Sequence, residues 1–257
     1  MPTATLPPAA SRYYAASAAA AVSAQRAARA VQSKGPQAIW NILALFQIAQ
    51  AQIAQDAVGI MLDQQEIDAA ADALLNSEAF TTSLSTFEAM LDQIETDWQF
   101  DQLVGSLVQD SGRAAQGVAV AARPNIGHIR MLNPPSCSRC VVLAGRFYRY
   151  STGFLRHPGD DCVMIPTTVA NRDLVQDPIA LMNRGLVTGL SKADQQAIRD
   201  GADFNRVVNV RLKKAGMTES GRVLSRRGRL TPEAIYRDAG DDSERALALL
   251  QQAGYLL

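Results

Sequence analysis

Cysteine and histidine are scarce in this chain, and what is missing around them narrows its chemistry. Three cysteines and two histidines among 257 residues are too few for the disulfide framework of a small secreted scaffold. The odd cysteine count, confined to 26 residues from Cys137 to Cys162, points to a reducing compartment and to thiol or metal chemistry. No phosphate-cradling glycine loop, HExxH helix or nucleophile elbow occurs. No uninterrupted apolar run reaches the roughly 18 residues of a membrane span. The alanine-rich stretch 15–22 has only Arg12 ahead of it, which argues against a secretory leader.

Cations are missing from a long part of the chain as well. Residues 37–110 hold twelve acidic side chains and no lysine or arginine, whereas 111–257 carry twenty-one basic against thirteen acidic. The totals balance at 25 each, so net charge names no partner, but the uneven distribution suits a protein docked between unlike surfaces.

What is present is mostly helical pattern. The segment ASRYYAASAAAAVSAQRAARAVQ is dominated by the strongest helix former and stops at SKGP. Trp40, Leu43, Ile48 or Phe46, Ala51 and Val58 then recur at three-to-four spacing, predicting a helix over about 37–62 with a glutamine-rich polar face. A shorter helix is expected over 65–75. After the hydroxyl cluster TTSLST, the spacing of Phe87, Leu91, Ile94, Trp98, Leu103 and Leu107 predicts one helix through about Ala121. Together these make an antiparallel helical bundle over 1–121, with Trp40 and Trp98 as core anchors.

ARPNIG ends the helical pattern, because proline lacks an amide donor and disfavours helix at the residue before it. Residues 122–170 read as a small α+β insert of short strands and tight loops, including the run from Arg146 to Tyr150 and the apolar CVMIP. Helical pattern resumes over 171–257. Ser191 with Asp194 forms a capping box, Gly201 closes that helix, Thr231 caps the next with Pro232 at its first position, and a last helix starts near Ser243. The fold class is therefore mainly α with a small α+β insert.

That insert holds the pattern C-x2-C-x16-H-x4-C, formed by Cys137, Cys140, His157 and Cys162. Three sulfurs and an imidazole suit a structural, tetrahedral zinc ion, and the 145–153 segment is long enough for a hairpin that brings the two halves together. Three small buried hydrophobes are the competing reading of the cysteines. A redox dithiol is disfavoured because no thioredoxin-like βαβ pattern surrounds CSRC. Further on, residues 206–229 carry Arg206, Arg211, Lys213, Lys214, Arg222, Arg226, Arg227 and Arg229 against Glu219 alone. Such a run can follow phosphates without reading bases, or meet an acidic protein surface. With His157 given to a metal, His128 is the remaining imidazole base, and with Ser136 or Ser151 it defines a serine-hydrolase alternative.

The order of helical bundle, CSRCVVLAGRFYR and HPGDDCVMIP, followed by DGADFNRVVNVR and LTPEAIYRDAG, resembles the phage minor head proteins of the Mu F-like head-morphogenesis group, in their actinobacterial form. The likeness covers about 87–257. In that family a CxxC and a histidine precede a C-x-C pair, matched here by Cys137, Cys140, His157 and Cys162. The chain departs from the pattern at Met164, where the family places its final cysteine, and in a histidine one or two residues farther from Cys162. The resemblance implies a minor structural protein of the virion, made in the host cytoplasm and carried inside the head near the portal. It further implies contacts with portal or major capsid protein and with packaged DNA, no membrane, and a role in head assembly or DNA packaging and delivery. Some relatives are linked to capsid maturation proteases, which makes that activity, or sequence-independent nucleic-acid binding, the alternative.

Overall fold

A computed structural model describes residues 5–71, 74–123, 125–149, 162–169, 174–209, 232–240 and 242–253. The chain starts with α1 (Pro8–Ala30), whose buried face is Ala10, Tyr13, Ser17, Ala21, Ala24 and Ala28 at three-to-four spacing. Small side chains on that face let neighbouring helices approach closely. Gly35, at φ 92°, takes a left-handed turn that a side chain would resist, and leads directly into α2 (Pro36–Asp63). After α3 (Leu84–Leu91), Thr96 opens α4 (Asp97–Ala121) through a reciprocal capping box with Gln99.

The N-terminal helices differ from the sequence expectation in four ways. No helix forms over the described part of 65–75. Glu66 turns left-handed at φ 57°, and the Ile67 amide bonds back to the Leu62 carbonyl, ending α2. The pattern from Phe87 to Ala121 is two helices, because the Thr96 cap outcompetes continuation across 92–96. That break rotates Trp98 out to solvent, where it is 69% exposed, while Phe100, Val104 and Val108 fill the core. Trp40 does pack in, donating its indole N–H to the Thr82 carbonyl at 2.7 Å.

The fourth difference is direction. Tyr14 meets Gln116 and Arg29 meets Asp97, so α1 runs antiparallel to α4; Ile39 and Leu43 share a core with Phe100 and Val104 while Val58 and Leu62 pack with Ala119 and Val120, so α2 runs parallel to α4. The chain between α2 and α3 makes this arrangement by returning along α2, with Leu75 on Gln55 and Thr82 on Gln47. Glutamines also occupy the buried face of α2. Gln47 is buried yet satisfied, since its amide bonds the Thr82 amide, the Thr82 hydroxyl and the Leu107 carbonyl.

The second half begins with β1 (Gly127–Leu132), then β2 (Ser136–Cys137), α5 (Ser138–Leu143), β3 (Phe147–Arg149) and β4 (Cys162–Thr167). The three-stranded antiparallel sheet has the order β3-β1-β4, with Leu132 opposite Cys162 and Arg130 opposite Met164. β3 and β4 flank β1 rather than pairing with each other, and most of the expected hairpin between the two halves of the cysteine pattern lies outside the described residues. β1 is buried along its whole length and finds partners on both edges. Next come α6 (Pro178–Asn183), β5 (Val187–Thr188), α7 (Lys192–Arg199), α8 (Phe204–Asn209), α9 (Pro232–Ala239) and α10 (Ser243–Gln252). The Ser191–Asp194 capping box and the left-handed Gly201 at the end of α7 are both present.

Two clusters meet at the sheet. Ile129, Met131, Val163 and Ile165 pack on Ala10, Tyr13, Ala51, Ala54, Met61 and Ala115 of the bundle. Leu132, Cys140, Val141 and Cys162 share a second core with Leu181, Ile198, Phe204, Val207, Ile235 and Leu250. Ser136 and Cys137 pair in parallel with Val187 and Thr188, so the cysteine segment and the C-terminal helices are packed as one body. Among the described residues no helix is long and apolar enough to cross a membrane.

Candidate metal centre

CSRC folds as a strand end running into a helix start. Cys137 closes β2 and serves as the N-cap of α5, its Sγ accepting the Cys140 amide at 3.4 Å. This turn puts two sulfurs on one side of the chain, with a backbone N–H aimed at the first. Cys162 arrives from β4, on the face it shares with Leu132 and Arg130 of β1. The three thiols are reduced, and the Cys140 thiol is hydrogen-bonded toward both Cys137 and Cys162.

Beneath them lies Arg130, only 1% exposed although it sits in the middle of an apolar strand. Its Nη2 donates to Cys162 Sγ at 2.9 Å and approaches Cys140 Sγ at 3.5 Å. Burial works against the guanidinium charge, but the sulfurs of Cys162 and Cys140 outweigh it and hold its pKa above the ordinary value. Burial, with the adjoining Cys137 and Cys162, pushes the Cys140 thiol well above the usual thiol range. The thiol therefore keeps its proton, which a metal ion would have to displace. A cleft of about 360 Å³ beside Cys137, lined by Ser138, Arg139, Gly189, Leu190 and Val208, gives access from outside.

Soft sulfurs with a backbone amide and a guanidinium directing N–H groups at them are the donor type that a thiolate-bound metal uses, but the three sulfurs are not arranged around one ion. Among the described residues no group of three or more His, Cys, Asp or Glu side chains surrounds a common point as a metal ion requires. His157, the expected fourth ligand, lies outside the described residues. Met164, at the family's final cysteine position, packs with Val58, Leu62, Ala119, Val120 and Ile126 instead of with the sulfurs.

The remaining expected residues fall elsewhere. Arg206 is exposed on α8, and Arg211, Lys213, Lys214, Arg222, Arg226, Arg227 and Arg229 lie outside the described residues. His128 is 2% exposed and stacked on Tyr148 at 5.5 Å between ring centres. Ser136 is buried in the separate β2–β5 pair, and Ser151 lies outside the described residues. Among the described residues, His128 and Ser136 sit in different sheets.

Sequence reasoning missed three supports of the centre. Arg130 could have been suspected from a lone charge in the apolar run IGHIRML, seven residues before Cys137. Gln176, 2% exposed, accepts the Leu132 amide at 2.6 Å and donates to its carbonyl at 3.1 Å, so one side-chain amide continues the ladder beyond β3. Tyr14 seals the outer edge of β4. Its hydroxyl accepts the Met164 amide at 2.8 Å and donates to Gln116 Oε1 at 2.9 Å, while Gln116 Nε2 donates to the Met164 carbonyl at 2.9 Å. No local sequence signal marks either contact, since Tyr14 and Met164 are 150 residues apart.

Comparisons with protein-family models, with curated proteins and with solved structures find no match for this chain.

Proposed function

We propose that the chain is a minor structural protein of a tailed-phage head, acting inside the capsid near the portal in head assembly or DNA packaging and delivery. One observation carries the reading. Two cysteines from distant segments, Cys140 and Cys162, meet a buried arginine in the core that the sheet shares with the C-terminal helices, with Cys137 capping the helix that carries Cys140, in the stretch whose residues resemble the Mu F-like minor head proteins. In this account a structural zinc ion is held by Cys137, Cys140, Cys162 and His157. It fixes the hub while the cation-free stretch 37–110 and the basic segment meet unlike partners.

The test is to cross-link assembling heads and identify the partners of this chain by mass spectrometry. Cross-links to portal or major capsid protein, with the chain retained in purified heads, are the expected result. A chain absent from heads, or heads that assemble and fill normally without it, would refute the proposal. Purified protein incubated with scaffold and coat protein is expected to leave both intact; specific cleavage abolished by His128→Ala would favour the hydrolase reading.

A further inference from the structure

α2 is apolar on two sides. Its inner side sets Leu43, Ala51, Ala54 and Val58 into the bundle. Its outer side carries Leu45, Ala49, Ile53 and Ile60, within about 80° of arc and about 22 Å of length at 3.6 residues per turn. Leu45 is 65% exposed, Ile53 42% and Ile60 52%. A surface helix normally turns its polar residues outward, and a helix that is apolar all round is one that is covered all round. Single exposed leucines are ordinary. Three branched side chains aligned on one helix face form instead a strip of the kind that a partner covers.

The charges around the strip select the kind of partner. α2 carries two, Asp56 and Asp63, both exposed on the same arc, and residues 37–110 hold no lysine or arginine. Arg123, which approaches Gly59, is buried with its guanidinium on the Ala69 and Ala119 carbonyls, so it offers the strip no exposed cation. Nucleic-acid phosphates and anionic membranes would be repelled by such a face, and a second copy of α2 would bring carboxylates against carboxylates. A helix with lysine or arginine beside its own apolar side complements both the apolar strip and the two aspartates.

We propose that the outer face of α2 is a docking surface for a basic amphipathic helix of a partner protein, whose apolar side covers Leu45, Ile53 and Ile60 while its cations meet Asp56 and Asp63. The surface goes beyond the head-protein reading and is independent of the sulfur centre, since it depends only on how α2 is packed.

The experiment titrates the full chain into a labelled helical peptide of about 18 residues, long enough to cover the strip, with leucines at i, i+3, i+4 and i+7 and lysines elsewhere, and reads fluorescence anisotropy. The wild-type chain is expected to bind it, more weakly as salt is raised. Replacing Leu45, Ile53 and Ile60 together by glutamine, which keeps helix propensity, should weaken binding at least about tenfold. Ile53→Gln alone serves if the triple variant does not fold. Asp56→Asn with Asp63→Asn should weaken it about two- to fivefold and flatten the salt dependence. Trp98→Ala, which removes an exposed aromatic outside the strip, should leave binding unchanged. A lysine peptide that does not bind, or that binds the glutamine variants as tightly as wild type, would overturn the proposal. So would equal binding of a peptide with glutamate in place of every lysine. A wild-type dimer that Ile53→Gln breaks into monomers would overturn it in favour of a second copy of this chain.

Discussion

Replacing Gln176 by leucine tests how the sheet beneath the sulfurs is held. β3 pairs with β1 at residues 127–129, and the Arg146 carbonyl and Gly145 amide extend the pairing to Arg130. At Leu132 the ladder has run out of strand, and the Gln176 amide takes both the N–H and the C=O. Leucine has nearly the same volume but no polar atoms, so the apolar packing survives while two buried backbone groups lose their partner. Each orphaned group costs about 1 to 3 kcal/mol, so the variant should lose about 2 to 6 kcal/mol. With a urea slope of about 3 kcal/mol/M, the unfolding midpoint should fall by about 0.7 to 2 M. Because Leu132 lies opposite Cys162, the loss should also loosen the sulfur site, seen as faster alkylation of Cys162 in the stripped protein. A midpoint unchanged within about 0.2 M, or raised, would refute the reasoning, since it would mean that Gln176 only fills space.

Tyr14→Phe removes the hydroxyl that seals β4 and strands the Met164 amide; urea unfolding should show a loss of about 1 to 3 kcal/mol. Gly127→Ala places a methyl group against the Tyr148 carbonyl and the Phe147 ring, and thermal unfolding should show a destabilisation of about 1 to 3 kcal/mol. Trp98→Ala should change stability by less than about 0.5 kcal/mol by the same assay, while quenching studies on the wild type should find one tryptophan freely accessible. Arg29→Ala breaks a bidentate pair with Asp101 and a second contact with Asp97 and should cost at most about 1 kcal/mol by urea unfolding, since the pairs lie at the surface.

The parts of the fold that could be read from sequence are those governed by local chemistry. Gly35 and Pro36 start α2, Ser191 and Asp194 box the start of α7, and the apolar periods mark the long helices. Trp98 shows the limit of periodicity. Its spacing from Ile94 fits one continuous helix, but a local cap at Thr96 resets the phase and turns the indole outward. The parallel course of α2 and α4 was hidden for a different reason, because it depends on where the polar return segment lies, and side chains such as Gln47 and Gln55 fix that path through tertiary contacts. At the candidate centre the cysteines announced themselves by rarity and spacing. Arg130 did not, because a lone arginine in a strand is ordinarily an exposed one, and its burial becomes legible only when strand register sets it beside Cys162.

Metal content tests the account most directly. The full-length chain, purified without chelator, should contain one zinc ion per molecule, lost on Cys137→Ser, and chelation should lower its unfolding temperature sharply, as removal of a structural metal does. A folded chain that contains no zinc, and whose unfolding is indifferent both to chelator and to Cys137→Ser, would contradict it.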